Sequence, residues 1–175
     1  MNPSSWPVAG FLFTAITGTF LHFLYDLTGQ SLPAALISAV NESIWEHMKL
    51  LFFPMLLFSF VEYVFREDRE VGFWCRKGKS IGLGLVLIPV LYYSYTGILG
   101  ISASWFNVTI FFLAAGAAWW RDAKLSRKAQ LCRIPEGLAV ILLLGIGVLF
   151  AVLTFLPPEI PFFRDPVTGT YGFQG

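Results

Sequence analysis

The chain has 175 residues, 56% hydrophobic and 13% charged, with a formal net charge of +1 and a mean hydropathy of +0.67. Soluble domains carry about 25% charged residues, so the composition argues against a soluble domain and for a polytopic membrane protein of one domain. The near-zero charge gives no footing for a nucleic-acid partner. Cys75 and Cys132 are too few for a disulfide framework and are expected as reduced thiols in cytoplasmic loops.

The residues before the first apolar run, MNPSSWPVAG, lack a basic region, and the run that follows is too long for the core of a cleavable signal. A membrane-crossing helix needs about 20 mostly apolar residues, and the hydropathy pattern predicts five, at about 7–27, 42–65, 79–98, 103–120 and 135–156. None alternates as barrel strands do, and only helices or closed barrels satisfy their backbone in lipid. The expected fold is therefore an all-α bundle of five transmembrane helices.

The loops set its orientation. Residues 66–80 and 121–134 hold Arg66, Arg69, Arg76, Lys77, Lys79, Arg121, Lys124, Arg127, Lys128 and Arg133, whereas the other side holds Arg164 alone. That bias predicts the amino terminus in the cytoplasm and the carboxyl terminus outside. Trp119 and Trp120 beside Arg121 suit the cytoplasmic interface. Glu62 and Arg66, four residues apart, are placed to pair at the membrane edge, and residues 66–70 read as a solvated loop.

The informative stretch is Asn41-Glu42-Ser43-Ile44-Trp45-Glu46-His47-Met48-Lys49, followed at once by an apolar run. Ionisable groups at a span's mouth mark a functional site by default. His22 and Asp26 lie near the end of the first span, so antiparallel neighbours would bring His22, Asp26, Glu42, Glu46, His47 and Lys49 to one level on the outer side. Thr14, Gly18, His22 and Asp26 recur at four-residue steps, as an inward stripe would. Glu42, Glu46 and Lys49 also share a face.

Two His and one or two carboxylates make a plausible zinc set with a position left for water. On this reading His22 and His47 are ligands with Asp26 or Glu46 as a third, Glu42 is the general base, and Lys49 offsets charge or stabilises an oxyanion. The metal is zinc or another divalent ion, and the reaction is hydrolysis of a lipid or lipid-linked substrate. Other readings stay open. Ser43 to Glu46 has the form of a helix capping box, with Asn41 an equally good cap, so the cluster could be structural. Asp26, Glu42 and Glu46 could titrate in a cation- or proton-coupled carrier, which at five spans would need a homo-oligomer. Haem between the two His, or a non-enzymatic membrane subunit, are further alternatives.

Pro54 and Pro89 interrupt the second and third spans and permit kinks. Tyr92, Tyr93, Ser94, Tyr95 and Thr96, with Asn107 and Thr109, suit either an aromatic belt or a polar vestibule. The fourth span's Ala114 to Ala118 and the fifth's Gly137, Gly145 and Gly147 suit close helix packing. The tail at 157–175 carries turn signals but too many aromatics for a disordered end. It is expected to fold across the outer face and cap the cluster, bringing Arg164 or Asp165 to it.

Two blocks together, His22 to Asp26 through NESIWEHMKL to Pro54, and the tail PPEIPFFRDPVTGTYG, resemble a family of small bacterial membrane proteins of unknown function. The resemblance implies a multi-span protein of this size in the cell membrane and no particular activity. Glu42, Ser43, Trp45 and His47 are also similar to the early helix of the progestin–adiponectin receptor and alkaline ceramidase superfamily, which implies a zinc site near one membrane face. The chain departs from that pattern in having five expected spans rather than seven and no late His-x-x-x-His.

Overall fold

The computed structural model describes residues 5–66, 71–126 and 134–174. Its helices are α1 (Ser5–Leu27), α2 (Leu32–Ile37), α3 (Ile44–Phe65), α4 (Phe73–Leu99), α5 (Ser104–Ser126) and α6 (Glu136–Phe155). The fold is all-α, and the one extended pairing among the described residues is an isolated bridge between Arg164 and Tyr171. The end of the bundle where α1 finishes and α3 begins is called the upper end below.

Four helices, α1, α3, α4 and α6, are long and apolar enough to cross a membrane. α3 lies at the centre: over half of its apolar core is buried (56%), against 22–28% for the other three. The remaining helices wrap it and turn apolar side chains outward. On α1 these are Val8, Leu12, Ile16, Phe20, Phe23 and Leu27, all more than half exposed. The opposite face of α1 buries Trp6, Gly10, Thr14, Gly18, Leu21 and Tyr25.

Small residues decide how close α1 comes. A Cβ at Gly10 would run into the Trp119 ring, which donates its Nε1–H to Thr14 Oγ1 at 3.0 Å. A Cβ at Gly18 would lie 2.5 Å from the Leu50 carbonyl oxygen and 2.6 Å from Phe111. Leu50 is four residues before Pro54, so its carbonyl has lost its helical N–H donor. The backbone of α1 thus packs on the acceptor that this proline exposes. Both Pro54 and Pro89 sit inside continuous helices.

Two helix limits differ from the sequence expectation. α4 begins at Phe73 rather than about Lys79, and α5 runs to Ser126 rather than about Trp120. Charges that hydropathy assigns to loops lie inside these helices because they neutralise one another. Lys77 Nζ meets Glu62 at 2.5 Å and Asp122 at 2.8 Å, and Arg76 meets the same two carboxylates at 3.4 and 2.6 Å. All four side chains are buried. Arg66 joins from the rim, bonding Glu62 at 2.9 Å as the four-residue spacing predicted. The Lys77 ammonium also lies 4.6 Å from the Trp119 ring, a cation–π contact. Asp122 joins α5 to α4 and α3 at the lower end, and Glu136 accepts the Trp74 N–H at 2.8 Å to join α6.

The longer α4 carries Cys75 out of the expected loop into its first turn, where it is buried and disulfide-bonded. This corrects the expectation of a reduced loop thiol. Cys132 and residues 67–70 of the expected solvated loop lie outside the described residues.

At the upper end the tail folds back on the bundle, against Thr154, Asn41 and Trp45 rather than over the His22, Glu42 and His47 side chains. The Phe173 N–H bonds the Thr154 carbonyl at 2.8 Å, Asn41 Nδ2 bonds the Gly172 carbonyl at 3.1 Å, and Phe163 packs on Trp45 at 4.9 Å between ring centres. The expected arrival of Arg164 or Asp165 at the polar cluster is not found. The Asp165 carboxylate caps its own turn, accepting from Val167 N at 2.7 Å and Thr168 Oγ1 at 2.8 Å, and Arg164 is exposed. The Asp165-Pro166 turn satisfies that carboxylate locally and leaves nothing to project inward.

Candidate metal centre

The start of α3 follows from three residues. Ser43 is the N-cap, its hydroxyl accepting Glu46 N–H at 3.4 Å. The returning half of a capping box is supplied by Asn41, whose Oδ1 accepts Ser43 N–H at 2.9 Å. The Glu46 side chain is released from that duty and turns inward. Glu42 precedes the cap, so it does not follow the helical phase and does not share a face with Glu46 and Lys49.

The six polar residues that the sequence placed at one level therefore separate into two sites and an outlier. His22, Glu42 and His47 come together: Glu42 Oε1 is 3.8 Å from His22 Nε2 and Glu42 Oε2 is 3.4 Å from His47 Nε2. One donor atom from each lies within 4.8 Å of the others, a grouping able to hold a metal ion. Zinc bonds of about 2.0–2.1 Å in a tetrahedron put neighbouring donors about 3.3 Å apart, so donors that lie up to 4.8 Å from one another would have to close by as much as about 1.5 Å. The site is half-buried, with the Glu42 side chain 45% exposed and the two imidazoles 29% and 21%.

Orientation of one ring is built in. His47 Nδ1 lies 2.9 Å from the Ser43 carbonyl oxygen one turn back. A carbonyl only accepts, so Nδ1 carries a proton and Nε2 is the nitrogen turned toward Glu42. That is the arrangement that prepares a metal-bound imidazole. On His22, Nδ1 is buried without a protein hydrogen-bond partner.

Glu46 and Lys49 form the second site, fully buried between α3 and α6. Lys49 Nζ lies 2.5 Å from Glu46 Oε2 and donates to Ala35 O at 2.8 Å and Thr154 Oγ1 at 3.0 Å, which accounts for its three protons. Glu46 also accepts from Val40 N at 3.1 Å and Thr154 Oγ1 at 2.8 Å. This site ties the α2 turn, α3 and α6 together, and Glu46 is not among the three grouped donors.

Asp26 is exposed and is not among the three grouped residues. Four-residue steps drift about 40° each around a helix of 3.6 residues per turn. From the buried Thr14 to Asp26 the drift is therefore about 120°, enough to swing Asp26 off the packed face.

Two apolar grooves open on the His–Glu–His site. One, of about 150 Å³, runs between α1 and α5 past Gly18, Phe23, Val108 and Phe112. The other, of only about 20 Å³, is walled by Ile44, Ile88, Tyr92 and Ile110. Glu42, His47, Asn107 and Phe111 line both. Of these, the sequence placed Asn107 only as a candidate for a polar vestibule.

Residues 1–173 match a family described as a family of unknown function, DUF6512. The chain belongs to that family. The match spans both sequence blocks whose resemblance pointed to a small multi-span family. No curated protein and no solved structure matches the chain. The comparisons give no support to the receptor and ceramidase resemblance. The DUF6512 chain has several apolar helices and a His–Glu–His grouping, and it is on these residues that a function must be argued.

Proposed function

We propose that this DUF6512 protein is a membrane-embedded, metal-dependent hydrolase acting on a lipid or lipid-linked substrate, with His22, Glu42 and His47 as ligands to zinc or another divalent ion. The observation that carries the reading is the donor set: three donors within 4.8 Å of one another, one of them oriented by a backbone carbonyl. Three protein ligands with an open fourth position is the pattern of catalytic rather than structural zinc. A divalent ion held there would polarise water and substrate, and the second carboxylate oxygen of Glu42 would be left to take the water's proton. Water adds to the reacting centre, the bond to the leaving group breaks, and the leaving group departs with that proton.

The groove between α1 and α5 supports a lipid substrate. Its rim is apolar and outward-facing, with Phe23 56%, Val108 54% and Phe112 39% exposed, so an acyl chain can enter sideways from the bilayer. α5 has the same 23 residues as α1 and runs the full height of the bundle, which supports a fifth span. The basic residues gather at the lower end, which favours a cytoplasmic amino terminus and an outward-facing site, whereas the disulfide at Cys75 of the same end favours the opposite orientation. Lys49 and Glu46 hold the scaffold beneath the site, and Asp26 adds negative charge at its outer edge.

The test is fatty-acid release from phospholipid and glycolipid vesicles by zinc-loaded protein, beside Glu42→Gln. Release that needs metal and is lost in the variant supports the reading. Cation uptake driven by pH in liposomes, from protein that holds no metal, favours a carrier instead.

A further inference from the structure

Asn107 is placed for a task that the metal ligands cannot perform. It sits at the end of the first turn of α5, half-buried, and lines both grooves beside Glu42 and His47. Its amide is held in one orientation. Tyr95 donates its hydroxyl proton to Asn107 Oδ1 at 2.6 Å, while the Tyr95 oxygen accepts the Ala103 N–H at 3.4 Å. The same Tyr95 oxygen lies 3.4 Å from Ser102 Oγ, and with Asn107 Oδ1 turned to the Tyr95 hydroxyl its Nδ2 is the amide atom left for another partner. The Tyr95 ring is itself fixed, buried and stacked on Phe106 at 4.7 Å and 11°. Among the described residues nothing accepts from Asn107 Nδ2.

We infer that Asn107 Nδ2 donates to the carbonyl oxygen of a bound acyl substrate, with Tyr95 as the positioning residue, and that the substrate is a carboxylic ester or amide of a lipid. The inference rests on the metal-hydrolase reading and narrows it. A neutral amide donor suits a carbonyl that becomes an oxyanion when water adds to its carbon. A phosphodiester would call for a cation, and neither groove is lined by Lys or Arg among the described residues. The nearby Lys49 has all three protons engaged elsewhere. In the balanced step, water adds to the acyl carbon, the C–O or C–N bond breaks, and the alcohol or amine leaves with a proton from that water.

The experiment compares three probes on the full-length, metal-loaded protein in detergent. Lauroyl hydroxamate offers a chain, a metal ligand and a carbonyl. Dodecanethiol offers the chain and the metal ligand alone. Dodecyl phosphate offers a charged oxyanion. Loss of one hydrogen bond corresponds to roughly three- to tenfold in affinity. Asn107→Leu should weaken hydroxamate by about that factor and leave dodecanethiol affinity and metal content unchanged. Tyr95→Phe should show the same selective loss, smaller in size, because the amide remains but is free to turn. Equal hydroxamate affinity in wild type and Asn107→Leu overturns the inference, as does an equal loss for both hydroxamate and thiol. Preference for dodecyl phosphate overturns the substrate class. Absence of metal uptake by the wild-type protein overturns the hydrolase reading itself, and is recognised separately because it precedes any probe.

Discussion

Glu42 and Glu46 are four residues apart in the chain and lie in different sites: Glu42 sits between His22 and His47 at the groove, whereas Glu46 is buried against Lys49 and Thr154. The N-cap at Ser43 separates them, since only Glu46 belongs to the helix. Their substitutions should therefore have opposite signatures. Glu42→Gln should lower metal affinity by at least about tenfold, judging from what even outer-shell changes do, and leave the thermal midpoint of the metal-free protein unchanged. Glu46→Ala leaves a buried ammonium uncompensated and should destabilise by about 3–5 kcal/mol. Metal titration and thermal unfolding in detergent separate the two.

If the Glu46–Lys49 pair is scaffold alone, replacing both should cost little, because a buried ion pair can give way to apolar residues of similar volume with near-neutral effect. Glu46→Leu/Lys49→Met should be more stable than either single change and retain metal. Loss of metal from a stable double variant would draw Glu46 or Lys49 into the site.

The approach of α1 controls the position of His22, one turn above Gly18. Gly18→Val would press on the Leu50 carbonyl and Phe111, pushing α1 outward and weakening metal binding together with stability. Gly97→Ala, where nothing lies within 4 Å of the added carbon, should leave metal binding unchanged and raise stability by up to about 1 kcal/mol, as alanine does in place of glycine within a helix. The pair is read by melting and metal titration side by side.

The lower ion network should govern stability without touching the metal. Asp122→Ala removes the carboxylate shared by Arg76 and Lys77 and should cost about 3–5 kcal/mol, with metal bound per folded chain unaltered. A fall in metal stoichiometry in the folded variant would couple the two ends of the bundle. The tail offers a comparable test: Phe163→Ala opens a gap under Trp45 and should destabilise by about 3 kcal/mol.

Much of this was legible in the sequence. Of the five spans that hydropathy predicts, four are helices long and apolar enough to cross a membrane; Ser43 announced its cap, Glu62 and Arg66 their pair, and His22 and His47 their common level. The missed features share a cause: they depend on partners distant in the chain. Arg76 and Lys77 read as loop residues until Glu62 and Asp122 are seen to neutralise them inside the bundle. The short helix α2 was missed because its six residues are too few for a periodic signal. Asp26 was drawn into the site by a four-residue stripe, although the helix turns every 3.6 residues. Glu42 shares a helical face with Glu46 only if Asn41 caps the helix, and with Ser43 as the cap it lies outside the helical phase. The hydrogen bond from Tyr95 that orients Asn107 joins α4 to α5 and has no local signature.

The most direct measurement is metal content by elemental analysis of protein purified in mild detergent, beside His22→Ala/His47→Ala and Glu46→Ala. The account predicts close to one divalent ion per chain in the wild type, loss of that ion in the double variant, its retention in folded Glu46→Ala, and release on acidification as the ligands take up protons. A folded wild-type protein that takes up no metal when offered zinc, or one whose metal survives removal of both imidazoles, would contradict it.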